Sequence, residues 1–279
     1  MEAGNKFFKK PDNICKILQM VSVYTGKVET CFQSFTSVLA VWEGTHSMID
    51  ITFDFRSDSK GKDPDTYSPT LNAYHRALWS KELPDGELME LQSKGAPFVL
   101  TWKDFYFTSD TMIVEMRSQK NIKIINQTLQ LVEDFEELYE HLLRRSYSIG
   151  SMIIFPVHVN SMNQRRGMNT LISDRWDLTL ECIRRHYAGE ESPLSKVIET
   201  DKAFYDLFID FKGYVDFFFL QDCVSKDYSS VNIWMGDTSF RKSGLPETVE
   251  DYFNFLVKEH IFLDKRNRRI QEYCIEHGI

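Results

Sequence analysis

The sequence lacks the short signatures by which many enzyme classes can be read directly. No GxSxG elbow, HExxH helix, GxxxxGK[ST] loop or GxGxxG turn occurs in its 279 residues. Their absence removes the usual serine-hydrolase, zincin, P-loop and dinucleotide-fold readings. Cysteine is sparse: Cys15, Cys31, Cys182, Cys223 and Cys274 are odd in number and never form CxxC. That argues against a disulfide framework or a zinc ribbon and fits free thiols in a reducing cytoplasm. Long apolar runs are also missing. The uncharged, apolar-leaning stretch of residues 30–42 is only thirteen residues long and contains Gln33, Ser34, Thr36 and Ser37, and a membrane span needs roughly 20 apolar residues. Lys6, Lys9 and Lys10 precede residues 14–24 in the manner of a leader, but Lys16 interrupts the apolar part and no small-x-small site follows. Nor is there a basic excess: 33 Lys and Arg against 41 Asp and Glu leave a net charge of −8. A broad nucleic-acid surface and an anionic membrane are therefore not expected partners, although a local basic patch can still hold one small anion.

What is present is material for a core. The chain is 42% hydrophobic and 14% aromatic, which excludes a disordered tail, a collagen-like fibre or a low-complexity linker. Residues 1–47 carry weak periodicity. Met48 then opens Ile49-Asp50-Ile51-Thr52-Phe53-Asp54-Phe55, whose alternation predicts a half-buried strand. A methionine directly before the first clear element raises the expectation that translation begins at Met48. Residues 1–47 would then be an arm outside a single domain over 48–279; a helical cap on that domain is the competing reading. N-terminal mass spectrometry of the native protein separates the two.

Beyond the polar loop 56–65, Ser68 predicts a helix N-cap with Pro69 at the first helical position, where a missing N–H costs nothing. Leu71, Tyr74, His75 and Leu78 then form one buried stripe. Residues 84–86 read as a turn, and 87–91, 98–102 and 112–116 as strands. Residues 129–145 read as a helix, with acids early and Arg144 and Arg145 late. Residues 149–155 read as a short strand buried on both faces. Residues 174–187 read as a helix capped by Asp174, with Trp176, Leu180, Ile183 and Tyr187 inward. Eight aromatic residues between Phe204 and Phe219 belong in a core. Residues 231–235 read as a strand, and Pro246 opens a long final helix with Tyr252, Phe255, Leu256, Phe262 and Leu263 on one face. Strands and helices mix without a βαβ rhythm. The expected class is α+β: one domain with a mixed or antiparallel sheet packed by several helices.

Three constellations could carry chemistry. The loop 56–65 interleaves Arg56, Lys60 and Lys62 with Asp58, Asp63 and Asp65 ahead of a helix N-terminus, where backbone N–H groups favour an anion. A solvated turn with local ion pairs is the plainer alternative. On the 174–187 helix, Arg175, Thr179, Cys182 and His186 stack on one flank. Cys182 and His186, four residues apart, allow an activated thiolate or a metal ligand pair, against the plainer reading of a small core cysteine; no metal site is expected. Asp216, near Lys212 in the aromatic run, would have its pKa raised by desolvation and so suit acid–base work, unless it points outward or caps a helix. His75 is a core histidine or a catalyst.

Several runs together resemble a known family. They are FDFRSDSKGKDPDTYSPTLNAYHRALWSKELPDGELMEL (53–91), IGSMIIFP (149–156), RGMN and ISDRWDLTLECIRRHY within 166–187 with SPL (192–194), and FKGYVDFFFLQDCV (211–224). These resemble an uncharacterised bacterial protein family, a domain of unknown function, from about Met48 to the final helix. Arg165-Arg166-Gly167 stands where that family's pattern has Ala-Arg-Gly, so Arg166 is the matching arginine; residues 118–147 find no match. The resemblance implies a bacterial, cytosolic setting and a start near Met48. It implies no reaction or cofactor.

The leading expectation is an enzyme acting on a phosphate-bearing small ligand such as a nucleotide. Arg56, Lys60, Lys62, Arg166, Arg175 and Lys212 would hold the anion, because guanidinium forks match phosphate oxygens. Asp63, His75 or Asp216 would transfer protons. The alternative is a non-catalytic interaction or toxin-like effector protein whose charges pair internally.

Overall fold

The computed structural model describes residues 49–112, 143–158, 160–166, 171–238 and 246–279, together with 123–124, 126–127 and 240. All of them belong to the unit Ser47–Ile279. The expectations placed on residues 1–48, and most of the helix expected at 129–145, lie outside the described residues.

Two short helices lead in. Asp63 caps α1 (Pro64–Tyr67) by accepting the Asp65 N–H, and Ser68 caps α2 (Pro69–Trp79) by accepting the Leu71 N–H, with Pro69 at its first position. The expected stripe of α2 is buried: Leu71, Tyr74, His75 and Leu78, joined by Trp79. Four antiparallel strands follow in the order β1 (Gln92–Lys94), β2 (Val99–Trp102), β3 (Phe105–Thr111) and β4 (Met152–Pro156). Every residue of β4 is buried, as the run 149–155 predicted, although residues 149–151 wind into a 3-10 turn first. The rest is helical: α3 (Met162–Arg165), α4 (Trp176–Tyr187), α5 (Ser195–Thr200), α6 (Lys202–Asp206), α7 (Phe211–Phe217) and α8 (Val249–His277). Thr248 and Asp251 close a reciprocal capping box on α8. The class is α+β with an antiparallel sheet and a long C-terminal helix.

Four expected elements are corrected, and in two of them a side-chain carboxylate takes a backbone N–H that a strand would have used. Residues 49–55 are not a strand. The Asp50 carboxylate accepts the Thr52 N–H and the Asp54 carboxylate accepts the Arg56 N–H, so the backbone turns locally rather than pairing. Ile49, Ile51 and Phe55 are nevertheless buried. Residues 87–91 contribute only a bridge between Glu82 and Leu88, and the strand lies just beyond them in β1. Residues 231–235 contribute only a bridge between Val224 and Val231, because the Trp234 N–H is taken by the Asp177 carboxylate at 2.7 Å. Asp174 does not cap α4; it faces Arg166 at 3.0 Å. The strand expected at 112–116 lies outside the described residues except for Met112, which follows the end of β3.

One buried cation holds the layers together. The Arg266 side chain on α8 is fully buried; its Nη1 donates to the carbonyls of Gly150 (2.6 Å) and Met152 (2.9 Å), and its Nε to that of Phe218 (3.1 Å). It thereby satisfies carbonyls on the outer side of the sheet and at the end of α7. A Cβ at Gly150 would lie 2.6 Å from Asn267 Oδ1, so a larger residue there would force the Asn267 amide to shift.

Candidate functional site

Side chains alternate across a strand, and β3 uses this to separate two polar assemblies. Ser109 and Thr111 share one face with Phe107, and Asp110 points to the other. Asp110, like Ser109, is buried.

On Asp110's face lies a closed ion cluster. Arg166, about 4% exposed, pairs with both Asp110 and Asp174 and reaches Thr179 Oγ1 at 3.3 Å. Burial raises the Asp174 carboxyl against the opposing pull of Arg166. A second pair lies on α4: Arg175, wholly buried, holds Asp177 and donates to the Met235 carbonyl at 3.0 Å.

On the face of Ser109 and Thr111 the arrangement is a directed chain. The Trp79 indole N–H donates to His75 Nδ1 at 2.8 Å, and His75 Nε2 meets Ser109 Oγ at 2.9 Å. An indole nitrogen can only donate, so Nδ1 carries no proton and Nε2 carries it. His75 therefore donates to Ser109, and the Ser109 hydroxyl is left to donate to the Asp65 carboxylate. Thr111 adds its N–H (3.1 Å) and its hydroxyl (3.0 Å) to the same carboxylate. Burial, with the neighbouring Asp63, nonetheless pushes the Asp65 carboxyl up to about 6. Burial, with Arg266 adding to it, pushes His75 down to about 3. His75 stays neutral and is not the base of this group. Asp65, half-buried, is the one that changes charge near neutrality.

The other expected residues are dispersed. Asp63 is the cap of α1. Arg56 lies on Asp54 and over the Tyr147 ring, 4.6 Å from its centroid. Lys60 is exposed at a φ of 56°, and Lys62 Nζ sits 4.4 Å from the Tyr67 ring centroid. Lys212 pairs with Asp216, which also accepts from Tyr228 (2.8 Å) and Gln221 (2.9 Å). Burial alone would raise the Asp216 carboxyl, but its three donors outweigh that and hold it below the usual value, the reverse of the expectation. The Cys182 thiol is pushed up to about 12, chiefly by burial, and so remains a thiol. Burial lowers His186, whose ring packs against Tyr187 and Tyr205. Among the described residues no three His, Cys, Asp or Glu side chains are grouped to hold a metal ion.

Sequence reasoning therefore missed Asp65 as a titrating group, and missed Ser109 and Thr111 altogether. The run Thr108-Ser109-Asp110-Thr111 is too polar to read as a buried strand end. The signal was there in Phe105 and Phe107, whose alternation extends into it.

Among the described residues no helix is long and apolar enough to cross a membrane. No curated protein and no solved structure matches the chain. A family model does, over residues 49–270, which takes in every element from α1 to most of α8. The chain belongs to that family, a family of unknown function, DUF6994.

Proposed function

We propose that this chain is a cytoplasmic, bacterial acid–base enzyme acting on a phosphate-bearing small ligand such as a nucleotide, with Asp65 as its proton-transfer group. The observation that carries the reading is the directed chain Trp79–His75–Ser109–Asp65. It delivers hydrogen bonds to one half-buried carboxyl whose pKa of about 6 lies near the operating range of a general base. In this scheme Asp63 contributes by raising Asp65 and capping α1, and His75 by fixing the Ser109 proton. Lys60 and Lys62 supply positive charge on the loop that leads directly into α1. Arg56, Arg166, Arg175 and Lys212 are already engaged by acids of the chain, so any anion contact is carried by Lys60 and Lys62. The second reading, a non-catalytic interaction or toxin-like effector protein, is favoured by that same internal pairing.

A thermal-shift screen against inorganic phosphate and nucleoside phosphates separates the two. The enzyme reading expects stabilisation that is lost in the Lys60→Ala/Lys62→Ala double variant, since a ligand bound only to the native state raises its melting temperature. No stabilisation by any phosphate compound would leave the interaction reading standing.

A further inference from the structure

Arg266 commits one edge of its guanidinium and not the other. Nε and Nη1 donate to the carbonyls of Phe218, Gly150 and Met152. Nη2 brings two more N–H donors and has no hydrogen-bond partner among the described residues. No carboxylate pairs with the guanidinium there; besides burial, the group that acts on it is the Tyr214 phenol.

Two phenols share this interior. Tyr214 on α7 and Tyr205 on α6 are wholly buried, with ring centroids 5.9 Å apart. Neither hydroxyl has a hydrogen-bond partner among the described residues. The Tyr214 ring lies 5.0 Å from that of Phe218, the residue whose carbonyl Arg266 Nε holds, so phenol and guanidinium meet around one residue without bonding to each other. Trp176 on α4 closes the other side, its ring centroid 4.6 Å from Arg266 Cζ.

We infer that Arg266 Nη2 and the hydroxyls of Tyr214 and Tyr205 form an internal site for one small monovalent inorganic anion of the halide class, such as chloride. The site shares no residue with the Asp65 group.

Unbonded polar groups are rare in protein interiors, where they bond to protein or to a bound small species. Charge decides which species fits here. A water would satisfy the donors but leave a fully buried guanidinium without a counter-charge, whereas buried charges are ordinarily paired. The three carbonyls turn only partial charges toward it. The field of Arg266 also reaches outward, lowering both His75 and Lys81, so positive groups gather in this part of the core. The acids of the region are committed elsewhere. Asp110 and Asp174 face Arg166, and Asp201, which acts on Tyr205, faces His158. The charges acting on Tyr214 are Arg166 and Arg266, both positive. All the donors are N–H or O–H groups, the set that suits a spherical acceptor. Dense packing by Trp176, Tyr205 and Tyr214 favours a monatomic ion over phosphate or an organic acid.

The test uses the full chain exchanged into sodium gluconate, whose anion is too large to enter, with chloride or bromide added at constant ionic strength. A saturable rise in melting temperature is expected, because the ion binds the native state alone. Tyr214→Phe removes one O–H donor and keeps the ring, and should raise the half-saturating concentration at least about tenfold. Crystals of the wild type grown with bromide should show an anomalous peak within hydrogen-bond distance of Arg266 Nη2 and Tyr214 Oη. No halide-specific rise, or the same rise in both proteins, would overturn the site. Bromide found only on the surface, or water alone beside Nη2, would do so equally. Half-saturation only at molar halide would mean an adventitious ion only, and would also refute it. The wild-type bromide crystal decides the matter even if the variant fails to fold.

Discussion

The two faces of β3 show how differently one strand can use polar side chains. On the face of Asp110, charges are closed on one another: Arg166 answers Asp110 and Asp174, and a turn away Arg175 answers Asp177. On the face of Ser109, hydrogen bonds run in one direction and end at a carboxyl that titrates close to neutrality. In the first arrangement each charge faces an opposite one. A buried ion pair of this sort contributes little net stability but is costly to break, because the surviving partner is left buried and charged. The second leaves a proton site at its end. Charge alone does not mark a functional residue; what separates the faces is whether the last group in the chain is neutralised.

The largest test of the contrast falls on the closed face. Arg166→Met removes the cation between two buried carboxylates, and we expect a loss of about 3–5 kcal/mol in denaturant unfolding at pH 7. A smaller loss at pH 4 is expected, because protonation then relieves Asp174, whose carboxyl is already raised by burial. An unchanged stability would mean that Arg166 is not structural.

The next effect comes from the relay. His75 titrates at about 3 in the folded chain, below its unfolded value of about 6.5. As pH falls, the unfolded chain takes up the proton first, so the stability present above about 6.5 drains away toward about 3. His260, likewise pushed down to about 3 by burial and Arg145, acts in the same sense. Asp65 acts oppositely: its folded value lies above its unfolded one, so stability rises modestly as pH falls from about 6 toward 4. His75→Gln should lower stability at pH 8 by about 1–3 kcal/mol through lost hydrogen bonds and flatten the acid limb between pH 3 and 6.5. An acid limb identical to that of the wild type would show that His75 is not held neutral.

The smallest expected effect is at Thr111. Thr111→Val removes one of the hydroxyls that stabilise the ionised Asp65 while keeping the backbone N–H, and should cost about 1 kcal/mol at pH 8. The same change should move the Asp65 midpoint upward. A downward movement would reverse the assigned donor direction.

How much of this was legible in the sequence follows from where the backbone could be captured locally. Ser68-Pro69 fixed the start of α2, and its stripe of Leu71, Tyr74, His75 and Leu78 lies in the core as expected. The aromatic run 204–219 and the long α8 were equally readable, because their periodicity and density leave few alternatives. Residues 49–55 show the limit. Their apolar positions were identified correctly, but Asp50 and Asp54 compete for backbone N–H groups, and alternation does not register that competition. The site was less readable than the fold. Asp65 stood in the sequence as one acid in a mixed loop, and its partners Ser109 and Thr111 are supplied by a strand more than forty residues away. Arg175 reads as an anion ligand from its guanidinium fork, because the two-residue spacing to Asp177 does not show that the two form a buried pair.

The account turns on Asp65, and the direct measurement is a carbon-13 titration of its carboxyl in the full chain, beside the Ser109→Ala variant. The account predicts a midpoint near 6 in the wild type. It predicts a higher midpoint in the variant, since the lost hydroxyl had stabilised the ionised form. A wild-type midpoint at the ordinary aspartate value of about 4, unmoved by removing Ser109, would contradict it.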